Sequence, residues 1–457
     1  MEPVAIVDIG KTHTKLLVVD AADGALLYGR ERASQSVMTA SGPQLDLAGI
    51  ESWLRDVLAA LPMRGQLQAI VPVAHGAAAV WLDARGQVLA APDYDNPGFD
   101  EVAEEYRPLR DEFRHSFSPF LPRGLNLGRQ FYWISRHAPE LLDRCARILT
   151  YPQYWAWRFS GVAACELTSL GCHSDLWLPL SGRPSELAVR QGWAGRLAPL
   201  QPASATLGQV SGDWQRSCGI DAGCRVICGL HDSNASYLAQ VLDQPPGLPF
   251  ATVSSGTWTV IMARGTDLAR LVESQDMLAN IDATGQVVAT ARFAGGVEYS
   301  AICGPQDDAA GTRDVPALGR VLQAGALALP SFADTGGPYA GHAGQLIHAE
   351  GLDPEARVAL AALYLALMTD LLLEKLDVRG DVLVDGPLSG NELYLRSLAA
   401  LRPAHAVRRC GGRNGIVRAA LHLAGYRVVA AAAEMVQPLE MTVALDEYRQ
   451  RWRAGLP

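Results

Sequence analysis

Hydrophobic residues near the start of the chain fall into two short runs separated by a polar turn. The first run, at 4–7, ends at Asp8, the turn is GKTHTK at 10–15, and the second run covers 16–19. Two strand-length apolar runs joined by a short glycine-containing turn predict a β-hairpin. The pattern returns at 250–264 (FATVSSGTWTVIMAR), with its turn at 254–257. Two hairpins that each begin one half of the chain predict a duplicated fold.

The pattern between and after the hairpins predicts alternating strands and helices. Residues 243–249 (DQPPGLP) form the best linker, so we expect one domain over 1–244 and a second over 250–457. The main predicted elements are a helix over 47–61, buried strands at 69–73 and 225–229, a hairpin over 80–91, a long buried helix over 355–376, and a strand at 381–385 followed by the glycine-containing loop 386–391 and a helix to 401.

The turn of the first hairpin contains the groups that bind a polyphosphate. Hydroxyl, backbone N–H and ammonium groups suit phosphate oxygens, and a carboxylate such as Asp8 suits the accompanying Mg²⁺. The alternative is an ordinary hairpin with a polar tip. The candidate residues in the turn are Gly10, Lys11, Thr12, Thr14 and Lys15.

Asp232 follows a predicted strand and stands at the start of a helix. A carboxylate there can be a helix N-cap, or it can be a general base that takes the proton from an attacking hydroxyl. Its place between the two hydroxyl-rich hairpins favours the base. His231 is next to Asp232, and we favour a supporting or packing role for its side chain over the role of base.

Residues 165–178 (CELTSLGCHSDLWL) form a polar island between apolar stretches. Thr168, Ser169, His173, Ser174 and Asp175 are suited to face a hydroxylated ligand. They are equally suited to a loop whose side chains satisfy its own backbone. Both interpretations stay open.

The composition of the chain argues against several classes of function. The chain has 457 residues and a net charge of −9, which argues against a nucleic-acid or anionic-membrane partner. The start lacks the features of a signal peptide, and the longest apolar run, 358–369, is too short to span a bilayer. We therefore expect a soluble, cytoplasmic protein whose cysteines are reduced thiols, and their spacing fits no zinc pattern. The sequence has no Walker A motif, no GxGxxG after a strand and no GxSxG motif.

Four motifs in order resemble the FGGY family of carbohydrate kinases, within the actin/hexokinase/Hsp70-type superfamily. They are DIGKTHTK at 8–15, GLHDSNAS at 229–236, VSSGTWTV at 253–260 and DGPLSGNELYLRSLAAL at 385–401. The resemblance covers most of the chain. It implies an α/β fold of two ribonuclease-H-like (actin/hexokinase-type) domains with an active-site cleft between them.

The resemblance also implies ATP and Mg²⁺ as cofactors and a role for each motif residue. Asp232 would be the catalytic base and Asp8 would hold Mg²⁺ through water. The N-terminal domain would bind sugar and the C-terminal domain ATP. Contacts with the β- and γ-phosphates are implied for Gly10, Thr12, Thr14, Lys15, Gly256 and Thr257, and contacts with adenosine for Gly386, Gly390 and Asn391.

The sugar side of the resemblance is less regular. His75 and Gly76 match the place of a sugar-side segment of the family, Asp95 matches one of its carboxylates, and His173 is a further sugar candidate. Lys11 stands where many members have Thr, and Asp95 lacks the usual flanking Trp and Arg. The GLHD and SSGTW segments are similar to the L-rhamnulose and L-fuculose kinases.

We therefore expect a kinase that phosphorylates a ketose, namely a deoxy-hexulose or pentulose. The alternatives are a polyol or sugar-acid kinase of the same fold, and a non-catalytic ATP-binding sugar sensor. Asp232 argues against the sensor, which has no need of a base. The expected partner is a small-molecule sugar, with no nucleic acid and no membrane, and a homodimer is the candidate assembly.

Overall fold

The computed structural model describes residues 1–304, 315–410, 415–428 and 433–457, and they form two compact units. The first unit contains residues 1–243, 279–287 and 415–428. The second contains residues 244–278, 288–304, 315–410 and 433–457. The chain thus first passes from one unit to the other at the start of the predicted linker, and two later segments return to the first unit.

The strands are numbered in chain order. They are β1 Pro3–Ile9, β2 His13–Asp20, β3 Leu26–Ala33, β4 Ser36–Thr39, β5 Gly42–Leu45, β6 Ala69–Ala74, β7 Ala79–Leu82, β8 Val88–Ala90, β9 Arg147–Thr150, β10 Trp177–Leu178, β11 Arg183–Pro184, β12 Thr206–Gln209, β13 Arg225–Ile227, β14 Leu230–His231, β15 Phe250–Ser255, β16 Thr259–Arg264, β17 Leu278–Ile281, β18 Val287–Phe293, β19 Leu327–Leu329, β20 Gln345–Ile347, β21 Asp381–Asp385, β22 Val407–Arg409 and β23 Glu434–Met435.

The α-helices are numbered in the same way. They are α1 Leu47–Ala59, α2 Ala103–Tyr106, α3 Phe113–Ser116, α4 Leu127–His137, α5 Pro139–Arg144, α6 Tyr151–Ser160, α7 Leu167–Leu170, α8 Glu186–Arg190, α9 Gly212–Cys218, α10 Asp232–Val241, α11 Gly295–Cys303, α12 Val315–Ala324, α13 Pro354–Lys375, α14 Glu392–Leu401, α15 Gly415–Leu423 and α16 Thr442–Ala454.

The two units repeat one sheet plan. In the first unit the strand order is β3-β2-β1-β6-β13-β12, and in the second it includes β18-β16-β15-β21-β22-β23. Each plan has two antiparallel pairs, then two parallel pairs, then one antiparallel pair. The predicted hairpins, β1–β2 and β15–β16, occupy the same place in each plan. The predicted duplication is therefore confirmed.

Strand β1 is buried along its whole length and divides two hydrophobic cores. Successive side chains of a strand point to opposite faces of a sheet. Accordingly Val4 and Ile6 belong to a core that includes residues of α10 and α15. Val7 and Ile9 belong to the other core, which includes residues of α1, α6 and α9. Asp8 is an even-numbered residue, so it lies on the same face as Val4 and Ile6.

Helix α13 is the long helix that the composition predicts. It is apolar around most of its surface and nearly all of it is buried. By length and composition it is also the one described helix that could cross a membrane, but 94% of its most apolar stretch is covered by the protein. A helix that is hydrophobic all round needs such cover on every side. It is therefore a core helix of the second unit.

The eight cysteines are all buried, and none of them forms a disulfide. Six of them lie in the first unit, at positions 145, 165, 172, 218, 224 and 228. Cys303 and Cys410 lie in the second unit.

We expect Gly229 to be required for the contact of β6 with the β13–β14 connection. Its φ is +78°, and a Cβ added there would lie 2.0 Å from the backbone oxygen of Pro72. Gly161 is the matched control, because its φ is +80° and an added Cβ would meet nothing within 4 Å. Gly161→Ala should cost only the left-handed backbone strain of about 1–2 kcal/mol in the free energy of unfolding.

Gly229→Ala should cost clearly more, because the backbone of β6 must also move. Urea unfolding of both variants measures the difference, and the yield of folded protein reports a variant that does not fold. Equal losses for the two variants would contradict the backbone-contact argument.

Candidate active site

The turn of the first hairpin is closed by its own backbone and supported by the end of β3. The N–H of Gly10 donates to the oxygen of His13 at 2.9 Å. The hydroxyl of Ser34 donates to the oxygen of Gly10 at 2.9 Å, and the N–H of Ser34 donates to the oxygen of Thr12 at 2.9 Å. Thr12 is exposed, whereas Lys11 and Lys15 are half-buried. The turn is thus a fixed loop.

Thr14, which was predicted as a phosphate contact, is the buried residue of the turn. It is fully buried, and its hydroxyl lies 3.1 Å from the hydroxyl of Ser34. The reason is strand alternation, because Thr14 is the second residue of β2 and points to the face opposite His13 and Lys15. In this structure its side chain supports the turn from the buried face of β2.

Asp232 lies close enough to Asp8 to affect the ionisation of Asp8. The pKa of Asp8 is raised from 3.8 to about 7: burial is the largest cause, the negative charge of Asp232 adds to it, and Lys15, its neighbour on β2, lowers it. The face of β1 explains this proximity, because the core beneath Asp8 includes Ala235 and Leu238 of α10, the helix that Asp232 begins. Two carboxylates in one region attract a cation.

Asp232 is held as an ionised carboxylate. Burial by itself would raise its pKa, but a hydrogen bond from His231, the positive charge that His231 and His75 carry when they are protonated, and the N–H of Ser233 together lower it below 3.8. Its Oδ1 lies 3.1 Å from Nε2 of His231 and 2.6 Å from the N–H of Ser233. Its side chain remains 31% exposed. An ionised, partly exposed carboxylate can accept a proton.

The polar island contributes to this site through Thr168. Its hydroxyl donates to the buried carboxylate of Glu166 and accepts the backbone N–H of His231 at 3.0 Å. Burial raises the pKa of Glu166 to about 7. On the other side of His231, Nδ2 of Asn234 lies 3.3 Å from Nδ1 of the imidazole. With that nitrogen as acceptor, Nε2 carries the proton and donates to Asp232. The segment therefore orients the candidate base.

His173 and Asp175, in the same segment, make hydrogen bonds within the protein. Nδ1 of His173 lies 2.7 Å from the backbone oxygen of Leu125. Asp175 is buried and accepts the hydroxyl of Tyr106 at 2.7 Å and the guanidinium of Arg110 at 3.0 Å. These contacts support the interpretation of a loop with internal hydrogen bonds. His173 as a sugar ligand remains a prediction without support from its contacts.

His75 and Gly76 lie against the candidate base. Burial lowers the pKa of His75, so its imidazole is neutral at pH 7. Its Nδ1 donates to the backbone oxygen of Gly76 at 2.8 Å, which leaves Nε2 as an acceptor. A Cβ on Gly76 would lie 2.7 Å from Nε2 of His231. Gly76 thus permits the close approach of His231, and His75 can accept a hydroxyl.

Lys11 contacts carboxylates of the segment 92–96. Its ammonium binds Asp93 and lies 2.9 Å from Oδ2 of Asp95. Asp95 was predicted from the sequence, whereas the buried Asp93 was not. The structure thus brings Lys11 and Asp95 together on the side of the turn that was assigned to sugar.

In the second unit, one serine joins the two predicted nucleotide segments. The hydroxyl of Ser255 donates to the oxygen of Asp385 at 2.8 Å and accepts the N–H of Leu388 at 2.9 Å. Gly386 makes this contact possible, since its φ is +78° and a Cβ there would lie 2.2 Å from the oxygen of Ser255. The turn with Gly256 and Thr257 is therefore fixed to the loop 386–390.

A cavity of about 180 Å³ opens beside this junction. Two predicted residues, Gly256 and Asn391, line it. Its walls include Tyr299, Leu365 and Leu388. Oδ1 of Asn391 accepts the N–H of Tyr394 at 2.9 Å as the cap of α14. A mostly apolar cavity with a few polar groups at its edge suits a flat heteroaromatic base.

The donor set fits Mg²⁺ better than a protein-enclosed metal. Among the described residues, no group of three His, Cys, Asp or Glu is arranged to hold a metal ion. Mg²⁺ usually keeps several waters and binds one or two carboxylates together with substrate phosphates. The carboxylate of Asp8, at the end of β1, matches that need.

Comparison with known proteins agrees with this geometry. Residues 247–433 match the model of the carbohydrate kinase FGGY C-terminal domain. A carbohydrate kinase from Novosphingobium aromaticivorans is 35% identical, with a TM-score of 0.90 over 99% of each chain. The chain belongs to the FGGY family of carbohydrate kinases. The resemblance of the four motifs is thus confirmed, and the enzyme class is phosphotransferase with an alcohol group as acceptor.

More distant FGGY structures support the fold. A xylulose kinase from Rhodospirillum rubrum is 17% identical, with a TM-score of 0.77 over 99% of this chain and 98% of its own. A gluconate kinase from Lactobacillus acidophilus is 13% identical, with a TM-score of 0.74 over 99% and 97%. The predicted α/β fold of two actin/hexokinase-type domains is confirmed.

We expect the ionisation of Asp8 to act against folding when no metal is bound. Because its folded pKa is raised from 3.8 to about 7, its contribution to stability is fully present below about pH 4 and is lost as the pH rises through about 7. Asp8→Asn cannot ionise. Without divalent cations, its Tm relative to wild type should therefore rise by about 5 °C between pH 5 and pH 8.

Thermal unfolding of both proteins at the two pH values measures this difference. Asp56→Asn, on the exposed face of α1, is the control and should show no such change. A constant difference between Asp8→Asn and wild type at both pH values would contradict the raised pKa.

Proposed function

We propose that this FGGY kinase transfers the γ-phosphoryl group of ATP to a hydroxyl of a ketose. The candidate acceptors are an L-rhamnulose-like or L-fuculose-like deoxy-hexulose and a pentulose. The observation that carries the proposal is the ionised, partly exposed carboxylate of Asp232, held by His231 beside Asp8 and His75. A sensor that only binds ATP has no use for a base prepared in this way.

In the proposed reaction Asp232 acts as the general base. The acceptor hydroxyl donates to its carboxylate, and the hydroxyl oxygen attacks the γ-phosphorus as its proton passes to Asp232. The bond to the β–γ bridging oxygen breaks and ADP leaves. Phosphoryl transfer depends mainly on positioning and charge neutralisation, so a carboxylate of low pKa that holds the hydroxyl in line is sufficient.

His75 would position the acceptor. Its Nε2 can accept a second hydroxyl, and its ring is fixed by the rings of Tyr94 and Tyr151, whose centroids lie 5.7 Å and 5.0 Å away. Asp8 would hold Mg²⁺ through water, and the ion would supply charge neutralisation at the phosphates. The binding of the cation would lower the raised pKa of Asp8.

Phosphate contacts would come from the two hairpin turns. In the first unit these are Gly10, Thr12 and Lys15, and in the second Gly256 and Thr257. The cavity next to Asn391 would hold the adenine base. Gly386 would contribute indirectly, because it allows the loop 386–390 to approach Ser255. Gly390 ends the short helical turn before Asn391.

The substrate panel should include the acceptors named for related kinases as well as the ketoses. Xylulose and gluconate kinases share the fold at 17% and 13% identity, so xylulose and gluconate are candidates by fold alone. A gluconate-type sugar acid represents the main alternative, because it carries a charge that a ketose lacks.

The test is ADP release with Mg-ATP in the presence of ketoses, polyols and sugar acids. Wild type should release ADP only with an acceptor. Asp232→Asn keeps the size of the side chain but removes the base, so kcat should fall by roughly 10²–10⁴-fold. Mg-ATP should still bind to this variant with an affinity near that of wild type.

Asp56→Asn serves again as the control and should retain wild-type turnover. Binding of ATP without turnover on any acceptor would favour the sensor. Turnover that survives in Asp232→Asn would show that another group takes the proton.

A further inference from the structure

The side chain of Lys11 is fully engaged on the acceptor side of the turn. Its ammonium binds Oδ1 of Asp93, lies 2.9 Å from Oδ2 of Asp95, and sits 4.2 Å from the centre of the Tyr94 ring. An ammonium has three donor positions. Two carboxylates and an aromatic face account for them, so this charge is already neutralised by the protein.

The partner Asp93 is itself a fixed, ionised group. It is only 3% exposed, and it accepts the hydroxyl of Ser36 at 2.5 Å and the N–H of Asp95 at 2.9 Å. Burial alone would raise its pKa, but the hydrogen bonds from Asp95, Lys11 and Ser36 lower it. Removing the ammonium would leave a buried carboxylate without its counter-charge, which is costly.

Lys11 therefore ties together separate parts of the first unit. The turn after β1 is joined to the segment 92–96, and through Ser36 to the hairpin β4–β5. The ring of Tyr94 then contacts the ring of His75. The charges of Asp232, Lys11 and Asp93 all act on His75, so this cluster and the candidate base surround one imidazole.

The charge around His75 indicates what kind of acceptor fits. The carboxylates of Asp232 and Asp93 act on His75, and the ammonium of Lys11 is shared between Asp93 and Asp95. A sugar acid would bring another carboxylate to a region whose nearest ammonium is already paired. A neutral polyhydroxylated acceptor meets hydrogen-bond acceptors, which its hydroxyls can satisfy.

We propose that Lys11 is a positioning residue of the acceptor site, which selects neutral acceptors by fixing Asp93, Tyr94 and Asp95, and that it is not a ligand of the ATP phosphates. This inference rests on the proposed function, and it replaces the phosphate contact that the turn sequence predicts for Lys11. It assigns different roles to Lys11 and Lys15 of the same turn.

The test compares Lys11→Met with Lys15→Met in the full-length protein. Lys11→Met should raise KM for the best ketose by about tenfold or more, because a charge-assisted hydrogen bond to a buried carboxylate is lost. The Kd for Mg-ATP, measured directly by calorimetry, should stay within about twofold of wild type. Lys15→Met should show the opposite pattern, with weaker binding of Mg-ATP.

Three further variants separate positioning from general damage to the fold. If unbalanced charge causes the higher KM, Lys11→Met combined with Asp95→Asn should recover part of the lost ketose affinity. Asp95→Asn alone should improve the binding of gluconate relative to that of a neutral ketose, because the substitution removes one carboxylate that repels gluconate. The KM of Lys11→Arg for the ketose should be closer to the wild-type value than that of Lys11→Met, because arginine keeps the positive charge.

The outcomes distinguish this inference from the proposed function. One outcome is that the wild-type enzyme turns over an acceptor and that Lys11→Met binds Mg-ATP more weakly than wild type does. That outcome would overturn the inference and leave the kinase assignment intact. A wild-type preference for gluconate over every ketose would overturn the selection of neutral acceptors. If no acceptor is turned over, the proposed function fails, and the Kd of Lys11→Met for Mg-ATP still decides whether Lys11 contacts phosphate.

Discussion

The burial of β1 on both faces is the constraint on which the first unit depends. A strand covered by two cores has no room for polar side chains along its length, so they can appear only where the strand ends. Asp8 lies at that end, on the face that packs against α10, and α10 begins with Asp232. The same packing that stabilises the sheet therefore brings two carboxylates together. Burial first, and the charge of Asp232 second, raise the pKa of Asp8, so an ionised carboxylate is unfavourable there when no cation is present.

The two units use one strand plan for different chemistry. In the first, the turn beside the central strand is surrounded by carboxylates, imidazoles and a paired ammonium. In the second, the equivalent turn is fixed by the hydroxyl of Ser255 and adjoins a mostly apolar cavity. A charged region suits the transfer of a proton and a phosphoryl group, whereas an apolar cavity suits a flat base. The duplicated hairpins thus supply a common frame, and the side chains around each turn decide its use.

Much of the fold follows from local patterns, because the buried strands are short apolar runs bounded by glycine turns and α13 is apolar on every side. The sites at strand ends, Asp8 and Asp232, were also predictable, since a polar residue that interrupts a buried run stands out. The pairing of Lys11 with Asp93 was not, because the two residues are distant in sequence and meet only when the sheet forms. The same holds for Thr168 and His231. The burial of Thr14 could have been predicted from the alternation of β2, which directs its side chain to the face opposite His13 and Lys15.

The distribution of cysteines has a consequence for following the two units separately. All eight thiols are buried, with six in the first unit and two in the second. A thiol shielded by packing reacts with an alkylating reagent only when its surroundings open. The number of thiols labelled in a short pulse would therefore identify which unit had opened, without any engineered probe. An acceptor sugar and a nucleotide could each be tested for which set of native thiols they protect.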